Sequence, residues 1–161
     1  MSAGVVEASL RVSRDPTLLA PGFRQAVDRA IQECGGQNLD AYVYEAYRSP
    51  ELQALYYARG RTFCPPSAPV TNARDSLYSW HGFGMAVDVV SRSQGWSVAE
   101  DWFRRVAAVF QAHGCRWGGE WKMRDLPHFQ WGRCKPSPSD LARQIYRTEG
   151  LRAVWVKVGA A

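Results

Sequence analysis

The chain has 161 residues, of which 46% are hydrophobic and 22% charged, and its formal net charge is +5 at pH 7. This length and composition fit one globular domain with its own core, and they exclude a disordered chain. No stretch of about eighteen apolar residues occurs, so the sequence predicts no membrane span. The positive charge favours an anionic partner, and a cell wall, a membrane surface and a nucleic acid all qualify.

The first half of the chain predicts a helix, a strand and a second helix. Pro21 opens the first helix, which has apolar residues at helical spacing and ends at Gly35-Gly36. Residues 41–47 are aromatic and β-branched, a composition typical of a strand. Ser49 then predicts the N-cap of a helix that runs to Ala58, because proline and an acidic residue follow it in the first turn.

The second half predicts two more helices between strands. Residues 86–90 read as a short apolar strand, and Ser97 is the predicted cap of a helix over 98–113. A further helix is predicted from Ser139 to Glu149, and the alternation over residues 151–158 predicts a final strand. Three apolar residues of the helix after Ser139 are expected to face inward: Leu141, Ile145 and Tyr146.

Two short segments carry the residues with chemical potential. Asp88 lies in the apolar strand, where a lone carboxylate is costly to bury unless it is paired or bound to a metal. His81 precedes it across two glycines, and His128 follows Pro127 at the start of a second apolar run. Two histidines and one aspartate supply three ligands, the number that a catalytic zinc uses when its fourth position stays open. Asp125, three residues before His128, is placed to deprotonate a water molecule.

The pattern of these residues resembles a known family. Ser79 to Asp88 read S-x-H-x-x-G-x-A-x-D, residues 117–121 read W-G-G-E-W, and residues 125–130 read D-L-P-H-F-Q. Together they resemble the D-alanyl-D-alanine carboxypeptidase superfamily of zinc peptidases, and most closely its L-alanyl-D-glutamate endopeptidases of the phage endolysin type. The resemblance runs from about Leu18 to Trp131. It implies an α+β fold, in which helices pack on one side of a small, mainly antiparallel sheet, as in hedgehog domains.

The resemblance also implies roles for single residues. One Zn²⁺ per chain would be held by His81, Asp88 and His128, with Asp125 as the general base. Arg48 of the Tyr47-Arg48-Ser49 segment would lie in the active site, where a guanidinium suits a substrate carboxylate or a developing oxyanion. Ser79 is a candidate for hydrogen bonding to substrate, and a plain turn residue is an equally good interpretation of it.

The sequence does not determine the structure of the cleft at two segments. The family passage G-R-T and V-T-x-A is matched by residues 60–62 and 70–73, whereas residues 63–67 depart from it, so the rim of the cleft is expected to differ. The tryptophans of residues 117–121 either belong to the core or shape the substrate groove.

The resemblance implies a peptidoglycan hydrolase that cuts the L-Ala–D-Glu bond of the stem peptide during phage lysis. We expect a monomer with a single domain over residues 1–161 and no separate wall-binding module. Residues 1–7 lack the features of a signal peptide, so we expect synthesis in the host cytoplasm and action on the wall after release. The four cysteines show no C-x-x-C pair and are expected to be reduced there, while pairing after release stays open.

Other functions remain open at this point. A D,D-carboxypeptidase or dipeptidase of the same superfamily would share the metal residues and differ in the groove. A zinc-binding module without catalysis is a second alternative, although the presence of Asp125 argues against it. Nucleic-acid binding would suit the net charge of +5, but no sequence motif supports it.

Overall fold

A four-stranded antiparallel sheet forms the centre of the molecule, in the order β1-β2-β4-β3. The computed structural model describes residues 10–63 and 67–161. The α+β architecture predicted from the sequence is confirmed, including the strands near residues 41, 86 and 128. The four strands are β1 (Ala41–Glu45), β2 (Ala86–Ser91), β3 (Cys115–Trp117) and β4 (His128–Trp131).

The described part of the chain contains five α-helices in addition to the sheet. The first two have the bounds predicted for them, and the serines Ser49 and Ser139 are confirmed as N-caps, since their hydroxyls accept hydrogen bonds from the amides of Leu52 and Ala142. None of these helices is long and apolar enough to cross a lipid bilayer. The helices are α1 (Pro21–Gly36), α2 (Pro50–Ala58), α3 (Glu100–Ala112), α4 (Asp140–Glu149) and α5 (Leu151–Lys157).

The prediction of Ser97 as a helix cap is wrong. Helix α3 starts at Glu100, and Ala99 occupies the N-cap position without a side-chain hydrogen bond. The backbone amide of Ser97 donates instead to the carbonyl of Gln94, within the turn that follows β2. Because that turn holds the chain until residue 97, the helix begins two residues later than the sequence indicated.

The predicted final strand is also wrong, because residues 151–157 form helix α5. Val154 is buried, and the indole Nε1 of Trp155 donates to the carbonyl of Phe83 at 2.7 Å. These apolar residues therefore face the body at helical spacing, which the short alternation in the sequence concealed. Leu141 does not face inward as predicted, since it lies 54% exposed in the first turn of α4.

The alternation of side chains along the strands separates the core from the site. Val87, Val89 and Phe129 point to one face and are wholly buried. The Phe129 ring lies 4.3 Å from the ring of Phe110 on α3, measured between centroids. Since neighbouring strand residues point to opposite faces, Asp88 and the other site residues of β2 and β4 lie on the face away from this core.

Candidate metal and catalytic site

Three side chains with metal-binding atoms converge on the sheet. One ligand atom from each of His81, Asp88 and His128 lies within 4.8 Å of the others, and all three residues are buried. Asp88 Oδ1 is 3.4 Å from His81 Nε2 and 3.6 Å from His128 Nδ1. The three residues that the sequence predicted as a ligand set are thus brought together in space.

Strand pairing positions two of these residues. Asp88 on β2 stands directly opposite His128 on β4 in the antiparallel register, so their side chains project from the same face of the sheet. The prediction that they occupy neighbouring strands is confirmed. Backbone hydrogen bonds of the sheet, rather than flexible loops, therefore set the spacing between carboxylate and imidazole.

His81 reaches the site from a 3₁₀ turn over Trp80–Phe83 that precedes β2. Ser79 caps this turn, since its hydroxyl accepts a hydrogen bond from the His81 amide at 3.3 Å. Gly84 ends the turn with φ at +66°, a left-handed conformation that favours glycine. The observed contact of Ser79 is the one expected of a turn residue, and a role of Ser79 in binding substrate stays a prediction.

The junction between β1 and α2 holds His81 by two hydrogen bonds. The carbonyl of Ala46 lies 2.8 Å from His81 Nδ1, and the amide of Arg48 donates to the His81 carbonyl at 3.1 Å. Because a carbonyl can only accept, Nδ1 carries the ring proton. In the neutral ring, which is the form in which imidazole binds a metal, His81 Nε2 therefore has its lone pair facing Asp88.

Arg48 is buried beside this site rather than displayed to solvent. Its Nε and Nη2 donate to the two carboxylate oxygens of Glu45 at 3.0 and 2.7 Å, and its Nη1 donates to Gln53 Oε1 at 2.9 Å. Nη2 also lies 3.6 Å from Asp88 Oδ2. Burial lowers the pKa of Arg48, but the hydrogen bonds and charge of Glu45 outweigh burial and raise that pKa above its usual value.

Glu45 and Gln53 escaped the sequence reasoning. Glu45 is 2% exposed and Gln53 wholly buried, and both hold the guanidinium of Arg48 in place. Gln53 is itself fixed, because its Nε2 donates to the carbonyl of Ala73 at 2.7 Å. The available signal was Glu45 itself, a charged residue within a strand of aromatic and apolar residues, which is costly to bury unless it is paired.

Asp125 lies at the solvent-exposed side of the site, in the loop before β4. Its amide donates to the Gly118 carbonyl at 3.0 Å, and its own carbonyl accepts from the His128 amide at 3.3 Å. A Cβ on Gly118 would lie 3.2 Å from Asp125 Cβ, 3.1 Å from His128 Cβ and 2.6 Å from the Asp125 carbonyl oxygen. Only glycine therefore fits beneath the loop that sets the offset between Asp125 and His128.

The two aspartates of the site differ in pKa. Burial acts to raise the pKa of Asp88, but in the protein without a metal the pairing of its carboxylate with protonated His81 and His128 holds that pKa well below its usual value. The pKa of Asp125 is raised. The main cause is the loss of solvent around its carboxylate, and the negative charge of Asp88 is the second cause. One carboxylate is thus kept ionised, whereas the other more readily accepts a proton.

The tryptophans of residues 117–121 divide between core and site. Trp117 is buried, and its Nε1 donates to the Leu126 carbonyl at 2.7 Å. Trp121 is partly exposed, and its ring lies 5.0 Å from the His128 ring between centroids. Trp117 therefore belongs to the core, whereas the role of Trp121 in shaping a substrate groove stays a prediction. Of the departing segment 63–67, residues 64–66 lie outside the described part of the chain.

The donor set fits zinc in its chemistry. Two imidazole nitrogens and one carboxylate oxygen are ligands that zinc takes in catalytic sites, and three protein ligands leave a fourth position for water or substrate. Asp88 is buried and ionised, so a divalent cation would balance its charge. The tautomer of His81 offers a lone pair towards the same point.

Comparison with known proteins gives one family. Residues 72–131 match the family model described as D-alanyl-D-alanine carboxypeptidase. The chain is also 28% identical over 128 residues to the peptidoglycan L-alanyl-D-glutamate endopeptidase CwlK of Bacillus subtilis (strain 168), a match that covers 71% of this chain and 74% of CwlK. Residues 72–131, which match the family model, contain His81, Asp88, Asp125 and His128.

Solved structures agree with this match. The L-Ala D-Glu endopeptidase ChiX of Serratia marcescens superposes with a TM-score of 0.54 at 25% identity, covering 76% of this chain and 87% of ChiX. The LD-carboxypeptidase LdcB superposes with a TM-score of 0.52 at 16% identity, covering 86% of this chain and 69% of LdcB. The likeness to LdcB concerns the fold alone.

Proposed function

Because residues 72–131 match the family model described as D-alanyl-D-alanine carboxypeptidase and the chain is similar to two L-alanyl-D-glutamate endopeptidases, we propose that it is a zinc-dependent peptidoglycan hydrolase that cuts the L-Ala–D-Glu bond of the stem peptide. One observation carries the proposal: His81, Asp88 and His128 present their ligand atoms within 4.8 Å of one another. The similarity to two L-alanyl-D-glutamate endopeptidases supports the choice of bond.

In this mechanism His81, Asp88 and His128 would hold one zinc ion. When bound, zinc polarises the substrate carbonyl and lowers the pKa of a water molecule from about 15.7 towards about 7. Asp125 accepts a proton from the attacking water as general base. The hydroxyl joins the L-Ala carbonyl carbon, the C–N bond breaks, and Asp125 passes the proton to the D-Glu nitrogen.

Arg48 contributes a fixed positive charge. Its guanidinium lies 3.6 Å from Asp88 Oδ2 and is locked by Glu45 and Gln53, so it needs no reorganisation when negative charge develops on the carbonyl oxygen.

Digestion of purified cell walls tests the proposal. With zinc added, we expect new amino termini at D-Glu and new carboxyl termini at L-Ala, measured by mass spectrometry of the released peptides. Release of free D-alanine alone would identify a carboxypeptidase. A folded chain that binds zinc and releases nothing would identify a module without catalysis.

A role in phage lysis is the proposed setting for this activity. The W-G-G-E-W and D-L-P-H-F-Q segments, which resemble those of phage endolysins, support it. We further propose that the domain acts as a monomer on the wall. Expression in a bacterial cytoplasm should leave cells intact until a membrane pore is opened, and lysis should then follow within the same culture.

A further inference from the structure

Gln130 is a buried residue of β4 for which the mechanism above has no use. It is wholly buried, two residues beyond His128 on the same face of the strand. Its Oε1 lies 2.9 Å from His128 Nε2, and its Nε2 donates to the Lys135 carbonyl at 2.8 Å. The amide therefore connects the imidazole to the backbone of the turn that follows β4.

The chemistry of these contacts fixes the position of the His128 proton. The Lys135 carbonyl can only accept, so the amide NH₂ of Gln130 must face it. The amide oxygen then faces His128 Nε2 and can also only accept, so Nε2 carries the ring proton. In the neutral ring that binds a metal, His128 Nδ1 then has its lone pair, and this nitrogen lies 3.6 Å from Asp88 Oδ1.

The Lys135 carbonyl is itself held from a second direction. Trp80 Nε1 donates to it at 2.7 Å, and Trp80 directly precedes His81. One backbone carbonyl thus joins the segment of His81 to that of His128. The Gln130 amide is held in a single orientation, because turning it over would place its oxygen against the oxygen of the Lys135 carbonyl.

We propose that Gln130 is a positioning residue for the metal, which sets the tautomer and ring orientation of His128 so that Nδ1 faces the ion. The inference rests on the proposed function only in that the site binds zinc. Partners of this kind, on the far nitrogen of a ligand histidine, typically contribute about 10–100-fold to metal affinity.

Zinc affinity of the purified protein, measured by competition with a chelator, tests this role. Gln130→Leu removes the acceptor at similar volume, and we expect its zinc affinity to fall by about 10–100-fold. Gln130→Glu keeps an acceptor for His128 but opposes the Lys135 carbonyl. We expect it to retain zinc affinity while its melting temperature falls. Equal losses of affinity in both variants, or none in folded Gln130→Leu, would overturn the proposal.

Gln53→Leu is the matched control. Gln53 is likewise wholly buried and likewise connects a site side chain, Arg48, to a backbone carbonyl. Its hydrogen bonds go to Arg48 and Ala73 rather than to the three ligand residues, so the variant should keep wild-type zinc affinity while wall lysis slows. A loss of zinc affinity in Gln53→Leu equal to that in Gln130→Leu would show general loosening of the site, and would overturn a specific role for Gln130.

Nuclear magnetic resonance of the zinc-loaded wild type tests the tautomer without any mutation. The chain has only three histidines, so long-range ¹H–¹⁵N spectra of the rings are readily assigned. We expect the proton on Nε2 of His128 and on Nδ1 of His81. A proton on Nδ1 of His128 would overturn the inference and leave the peptidase proposal standing, whereas a wild type that binds no zinc would overturn the peptidase proposal itself.

Discussion

Asp88 and Asp125 belong to the same site but are held in opposite ways. Asp88 lies inside a sheet, paired across the strands with His128, and it is 8% exposed. Asp125 lies in an exposed loop and is positioned by backbone hydrogen bonds to Gly118 and His128. The pKa of Asp88 is lowered and that of Asp125 is raised.

This difference matches the two roles that we propose for the same type of side chain in one site. A carboxylate that stays ionised suits a metal ligand, and one with a raised pKa suits a base that must accept and release a proton. In the protein without a metal, part of the rise in the pKa of Asp125 comes from the charge of Asp88 itself. Removing the proposed ligand and removing the proposed base therefore test the comparison in different ways.

The largest effect is expected from Asp88→Ala. This change removes a ligand and the charge that draws His81, His128 and Arg48 together. We expect most zinc to be lost and wall lysis to fall by more than about 10⁴-fold, since the metal and the base then fail together. Elemental analysis and a turbidity assay measure both, with exposed Asp28→Ala as the control. Full zinc occupancy in Asp88→Ala would contradict the assignment of Asp88 as a ligand.

Asp125→Asn should separate chemistry from metal binding. The amide keeps the shape of the side chain and cannot accept the proton, so we expect a rate lower by about 10²–10⁴-fold with zinc content unchanged. Glu120→Gln is the control, because Glu120 is engaged at the surface by Gln111 Nε2 at 2.9 Å and should be dispensable. Loss of zinc from Asp125→Asn would make Asp125 a ligand and reverse the comparison.

Gly118→Ala tests whether the position of Asp125 matters apart from its chemistry. The added Cβ would lie 2.6 Å from the Asp125 carbonyl oxygen, so the loop must move. A displacement of about 1 Å can cost up to about 10²-fold in rate, and we expect a loss of this order with Asp125 still present. Gly35→Ala is the control, since nothing lies within 4 Å of its Cβ. Equal activity of both variants would show that the offset is not critical.

The smallest effect is expected at the cysteines. Burial raises the pKa of their thiols too, but these thiols have no role in the proposed mechanism. Burial raises the pKa of Cys34 to about 11 and those of Cys115 and Cys134 to about 12. These three thiols are free, and we expect no reaction with a thiol reagent at pH 8 in the folded protein. The assay uses a Cys64→Ser background, since Cys64 lies outside the described residues. Rapid labelling before unfolding would contradict this expectation.

The sequence was sufficient to predict the α+β fold and to group the three candidate ligands. Both signals are local and physical: a carboxylate within an apolar strand, and histidines beside glycine and proline. It was sufficient for α1 and α2 as well, because proline, serine and glycine mark their ends. The sequence did not predict α5, because its seven residues fit the periodicity of a strand as well as that of a helix. The contact with Phe83 decides between the two.

The partners of the supporting residues could not be predicted, since they depend on how the turns and strands fold back on one another. Gln130 bonds a carbonyl in the following turn, and Gln53 bonds the carbonyl of Ala73, twenty residues away. A buried glutamine has no periodic signature and no fixed spacing from what it supports. The environment of Arg48 was missed for the same reason, as the strand position of Glu45 gave no sign that it faces an arginine.

The pairing of Asp88 with His128 also governs when the site can exist during folding. The two residues are forty positions apart, so no local segment contains the site, and closing so long a loop has an entropic cost before the pairing is rewarded. Zinc would meet its full ligand set only after β2 and β4 have docked. The ion should then act mainly by slowing unfolding, as interactions formed after the transition state do.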